Sequence, residues 1–150
     1  MAAESSRFRR ILHVRAVERD ITQGELAGRL KEEWTIQERI SAIRKKREDA
    51  LVDFCSGSDG IVSPQQLWFE RQNIDRIERN LRDGAQELEE CRVKIEETKA
   101  ELVERHQNVQ LMERYVERLK EREDKVSLDL EQKNLDDITS MRFNRREGIS

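Results

Sequence analysis

The chain is 150 residues long, 41% of them charged and only 5% aromatic, with a formal charge of −3. That balance suits long solvated helices better than a compact core, and the interleaving of acids and bases excludes a nucleic-acid groove or an acidic tail. No apolar run approaches the ~20 residues of a membrane span, and the N-terminus lacks the apolar core of a secretory signal, so a cytosolic protein without direct membrane insertion is expected.

The first element is a long helix over about residues 6–54. No proline interrupts this stretch, and Phe8, Ile11, Leu12, Val17, Ile21, Ala27, Leu30, Trp34, Ile40, Ile43, Ala50, Leu51 and Phe54 recur at three- and four-residue steps. At 1.5 Å per residue it would be ~75 Å long. Its apolar phase slips between Trp34 and Ile36, and Gly24 and Gly28 weaken its middle, where curvature or looser winding is expected.

A loop over residues 55–63 follows. Ser56-Gly57-Ser58-Asp59-Gly60-Ile61-Val62-Ser63-Pro64 contains the only proline of the chain, and this is the one credible break. The restart is well specified: Ser63 takes the N-cap, Pro64 the first helical position, and Gln66 completes a capping box. Val62 and Leu67 are placed to form a hydrophobic staple.

The second helix, about residues 64–142, carries a heptad seam. Steps of seven from Leu67 give Leu67, Ile74, Leu81, Leu88, Ile95, Leu102, Val109, Val116, Glu123 and Leu130, with Glu123 as the single polar member. The companion series reads Glu70, Ile77, Gly84, Cys91, Thr98, Arg105, Met112, Leu119 and Val126. The seam describes a rod near 100 Å long, without a pocket, so the function to look for is mechanical or adhesive. Cys91 occupies an inward position and Cys55 lies at the loop, roughly 50 Å away along the helix, which excludes a disulfide within one chain.

Two long amphipathic helices joined by a short loop bury their stripes on each other most economically by reversing direction. The expected fold is all-α: a single-domain antiparallel coiled-coil hairpin with a longer, overhanging second helix. A 49-residue first helix would cover the second only to about residue 112, leaving Val116, Leu119, Val126 and Leu130 as exposed stripe beyond it. Exposed apolar stripe on a solvated helix reads as a partner-binding surface, as a contact with a second copy, or as a fraying end.

No catalytic residues are found. His13 and His106 are the only histidines, and neither has a His, Cys or Ser partner at triad-like or metal-ligand spacing, so neither an enzyme, nor a metal site, nor a cofactor is expected. Arg44-Lys45-Lys46-Arg47 reads as a solvated charge run. The terminal sets Arg7-Phe8-Arg9-Arg10 and Arg142-Phe143-Asn144-Arg145-Arg146 place a phenylalanine between arginines, a combination suited to docking on an acidic rim with an apolar step. Trp68 and Phe69 fall outside the seam and either cap the loop end against Ile61 and Phe54 or form an aromatic anchor. The apolar phase shifts again at Leu135, Ile138 and Met141, which points to a different partner for the last segment.

Over nearly its full length the chain resembles the FliJ family, the small coiled-coil component of the flagellar type III export apparatus. The resemblance rests on Arg7-Phe8-Arg9 followed by Leu12, on Gly60-Ile61 then Ser63 with Trp68 soon after, and on Gln132-Lys133-Asn134-Leu135-Asp136-Asp137 before a basic terminus. Asp137 stands where the family more often has glutamate, and the injectisome stalk proteins are a close relative. The resemblance implies a non-enzymatic stalk, peripheral at the cytoplasmic face of the inner membrane and associated with flagellum biogenesis and motility. Such a stalk looks like the shaft of a rotary ATP synthase: it enters the ring of the export ATPase, connects it to the cytosolic domain of the membrane export gate, and binds export chaperones. Mapped by position, Arg7, Phe8, Arg9, Arg10, Val116, Leu119 and Val126 would meet the ATPase. Trp68, Phe69 and Arg71 would meet the gate.

Overall fold

The computed structural model describes residues 2–56 and 63–149. Two helices account for nearly all of them, α1 over Ala2–Ser56 and α2 over Pro64–Ile149. The expected all-α pair with a longer second helix is what the chain forms. Both helices run further than their periodicity indicated, α1 by a turn at its start and α2 to Ile149. Ala2 and Ala3 are good helix formers and Glu4 stands in the first turn, where a negative charge suits the helix dipole. At the other end Arg146 lies in the last turn of α2, a favourable place for a cation.

The start of α2 follows its local chemistry. Ser63 Oγ accepts a hydrogen bond from the Gln66 backbone N–H at 3.2 Å, and the Ser63 carbonyl accepts one from the Leu67 N–H at 3.2 Å. Ser63 is therefore the N-cap. The turn at residues 57–62, with Val62 of the expected staple and Ile61 of the expected aromatic cap, lies outside the described residues.

The chain divides into two compact units, Ile21–Leu102 and Met1–Asp20 with Val103–Ser150. In the first, Cys91 Sγ lies 3.7 Å from the Arg29 carbonyl, Arg39 pairs with Glu87, and Arg47 pairs with Glu78 at 3.8 Å. Rising numbers in α1 meet falling numbers in α2, so the helices are antiparallel. The core of this unit is Ile36, Ile40, Cys91 and Ile95, flanked by Leu26, Leu81 and Leu88. The second unit is antiparallel as well: Ser5 meets Glu123, Phe8 meets Tyr115, and Arg105 Nη1 donates to the Glu18 carbonyl at 3.2 Å.

In α2 the heptad reading holds position by position. Every seam residue from Glu70 to Glu123 is buried or half-buried, and Glu78 is the only other residue of that span withdrawn from water. Leu67, taken as the first seam residue, is 41% exposed instead.

α1 departs from its expected stripe. Val17, Ile21, Leu30 and Trp34 are exposed, as is Ala27. The inward residues between Leu12 and Ile36 include Arg19, Thr22, Leu26, Arg29 and Glu33. Ile36 and Ile40 stand four heptads beyond Phe8 and Leu12, so the apolar groups at both ends of α1 share one phase. That phase leaves the residues between to face α2 whether or not they are apolar. The phase slip at Trp34 is thus a property of outward residues, and the seam itself has none. α1 is regular α-helix through Gly24 and Gly28.

Candidate interaction surfaces

At the start of α2, Trp68 and Phe69 are 59% and 65% exposed. Their ring centroids are 5.2 Å apart at 75°, an edge-to-face pair that holds both rings without burying either. Two large rings fixed against each other present apolar area at low entropic cost. Arg71, less than one turn on, is exposed as well.

The second surface belongs to the unit that contains both chain ends. Arg7, Arg9 and Arg10 are exposed on the first turns of α1, whereas Phe8 is half-buried and packs edge-to-face on Tyr115, centroids 5.0 Å apart at 82°. Leu111 and Met112 line the same notch as Phe8 and Tyr115, and Leu111 is 62% exposed. Sequence reasoning missed Tyr115. Its signal was its place beside the seam residue Val116, from which a long ring reaches across to the facing helix.

Glu123 ends the paired region. Its carboxylate accepts from the Ser5 N–H at 3.3 Å, and every described side chain from Asp124 to Gly148 is exposed. The unpaired part of α2 therefore begins at residue 124 rather than near 112. Val116 and Leu119, expected on the overhang, are buried members of the seam. The reason is register: α1 starts at Ala2, and Ser5 sits opposite Glu123, which brings α1 over both residues. Val126 is exposed, as expected, together with Leu128, Leu130, Leu135, Ile138, Met141 and Phe143. Arg142, Arg145 and Arg146 are exposed too, about 30 Å along the helix from Glu123 and so not level with Arg7, Arg9 and Arg10.

Among the described residues no three acidic, histidine or cysteine side chains gather as metal ligands, and no helix is long and apolar enough to cross a membrane. Neither cysteine is disulfide-bonded; Cys55 is exposed and Cys91 buried.

Two long helices that pack along a heptad seam make this a coiled-coil protein of the all-α class, with aromatic, apolar and basic groups exposed on its helix surfaces. Over residues 4–148 the chain matches the family model described as the flagellar FliJ protein. It belongs to the FliJ family and is a component of the flagellar export apparatus. No curated protein and no solved structure matches it.

Proposed function

We propose that this chain is the non-enzymatic central stalk of the export apparatus, bound to the export ATPase ring at one end and to the cytosolic domain of the export gate through Trp68, Phe69 and Arg71. The observation that carries the reading is the uncovered segment of α2 beyond Glu123, about 39 Å of helix on which Val126, Leu128, Leu130, Leu135 and Ile138 are exposed. Family membership supplies the apparatus in which that helix works. The ATPase contact falls on Arg7, Arg9 and Arg10 with Val126, Leu130 and Leu135. Val116 and Leu119 serve it indirectly, by holding α1 in place. A protein of this kind sits peripherally at the cytoplasmic face of the membrane and also receives export chaperones.

An unsymmetrical helix within a symmetric ring touches subunits unequally, and only such differential contact shifts their nucleotide states. The test is ATP hydrolysis by the purified export ATPase from the same organism, at about one copy of this chain per ring. Wild type is expected to stimulate; Leu130→Glu with Leu135→Glu is expected to abolish stimulation at unchanged helicity. Equal stimulation by that variant would overturn the assignment. Trp68→Ala with Phe69→Ala should leave stimulation intact and weaken binding to the purified gate domain. A second reading has one specific support: Val126 and Leu130 continue the seam past its last partner, as a surface for a second copy would. A concentration-independent dimer lost in Val126→Glu would favour it.

A further inference from the structure

The basic run Arg44–Arg47 is one half of a groove whose other half comes from α2. Arg44 and Arg47 face Arg82 and Arg92 across a cleft of about 780 Å³ that also contains one acid, Glu89. Ile40, Leu81, Ala85 and Leu88 form its apolar part. An adjoining cleft along α1 shares Arg44 and Arg47 and adds Glu48 and Leu51, the latter 38% exposed. All of it lies within the unit Ile21–Leu102.

Three of the four arginines in this groove are uncommitted. Arg47 has Glu78 at 3.8 Å, whereas Arg44, Arg82 and Arg92 have no carboxylate partner among the described residues. Elsewhere in the same unit a cross-helix arginine, Arg39, is paired with Glu87. Four guanidiniums against two carboxylates, Glu48 and Glu89, leave the groove basic on a chain of net charge −3. Guanidiniums bind carboxylates bidentately and are enriched at interface hot spots.

From this arrangement we infer that the groove between residues 37–51 of α1 and residues 81–92 of α2 docks an acidic, amphipathic helical segment of a partner protein. The partner's carboxylates engage Arg44, Arg82 and Arg92, and its apolar face covers Leu81, Ala85 and Leu88. Apolar floor distinguishes this occupant from a phosphate polymer, which needs only the cations. Residues 37–51 span about 21 Å, enough for roughly four turns of a docked helix. The site is separate from Trp68 and Phe69 and from the end of α2, so it stands or falls independently of the stalk reading.

The test uses the full chain and a fluorescent synthetic peptide of about 15 residues, with leucines at three- and four-residue steps and glutamates on both flanks. Fluorescence anisotropy is expected to show saturable binding, weakened about tenfold in Arg44→Gln/Arg82→Gln/Arg92→Gln. The charge-matched control Lys31→Gln/Arg79→Gln/Lys94→Gln, outside the groove, should change it by less than about twofold. A scrambled peptide of the same composition should bind about tenfold more weakly. If the triple variant loses helicity, Arg44→Gln and Arg92→Gln alone decide, each expected to weaken binding about threefold. The inference is overturned by absence of saturable binding, by equal loss in the control, or by equal binding of the scrambled peptide. A heparin fragment or phosphatidylglycerol vesicles binding more tightly than the peptide, with the same loss in the triple variant, would also overturn it.

Discussion

The Glu123 carboxylate accepts a hydrogen bond from the Ser5 backbone N–H at 3.3 Å, so the one polar member of the heptad series that starts at Leu67 caps the start of α1. A negative charge beside the first turn of a helix meets the positive end of its dipole. Replacing Glu123 with alanine should cost about 1 kcal/mol and free the first turn of α1. Amide hydrogen exchange reads this directly: faster exchange near Ser5 is expected, and unchanged protection would remove the cap.

Glycine substitutions should separate by position. A Cβ at Gly84 would stand 3.0 Å from Ile40 Cγ1, whereas one at Gly24 or Gly28 meets nothing within 4 Å. Ile40 is enclosed in the core with Ile36, Cys91 and Ile95 and has little room to shift. Gly24→Ala and Gly28→Ala should each stabilise by about 0.5–1 kcal/mol through helix propensity. In Gly84→Ala overpacking of about 1–3 kcal/mol outweighs that gain. Thermal melts check the signs: higher Tm for the first two, lower for the third.

Carboxylates introduced along α2 should have opposite consequences on the two sides of Glu123. Val116 and Leu119 are 7% and 8% exposed, so Val116→Glu or Leu119→Glu buries an unpaired charge and should cost about 3 kcal/mol or more. Leu130 and Leu135 are 56% and 64% exposed, and the same change there should stay within about 0.5 kcal/mol. Urea titrations followed by circular dichroism distinguish the two; equal midpoints would refute the register drawn from Ser5 and Glu123.

The two thiols should differ in reactivity and in response to pH. Burial pushes the Cys91 thiol up, and the nearby charges of Glu32 and Glu33 raise it further. With the folded value above the unfolded one, the stabilisation from the neutral buried thiol is fully present below the ordinary thiol range. It is lost as pH rises through the folded value. Alkylation should therefore label the exposed Cys55 rapidly and reach Cys91 only after unfolding, and alkaline pH should lower the melting temperature of wild type more than that of Cys91→Ala. Equal labelling rates for both cysteines would contradict the burial of Cys91.

The parts that were legible in the sequence are those governed by local or strictly periodic chemistry. The Ser63 cap depends on residues four positions apart or fewer, and the α2 seam repeats an apolar group at most of its inward positions. The exposed Trp68 and Phe69 also followed from heptad phase alone. α1 was less readable because its outward face carries Val17, Ile21, Leu30 and Trp34 while Arg19, Thr22, Arg29 and Glu33 turn inward. An apolar count along such a helix follows the wrong face, since the inward face is chosen by the facing helix.

By itself the amino-acid sequence determined that this chain forms two long helices, where the second begins, and which side of it is buried, because helix capping and heptad repetition act over a few residues of one chain. Only the tertiary structure decided the register that sets Ser5 against Glu123, buries Val116 and Leu119, and joins Arg44 to Arg82 and Arg92. Register is a property of two surfaces at once. It is settled by the summed packing of facing side chains far apart in sequence, and neither helix contains that sum alone.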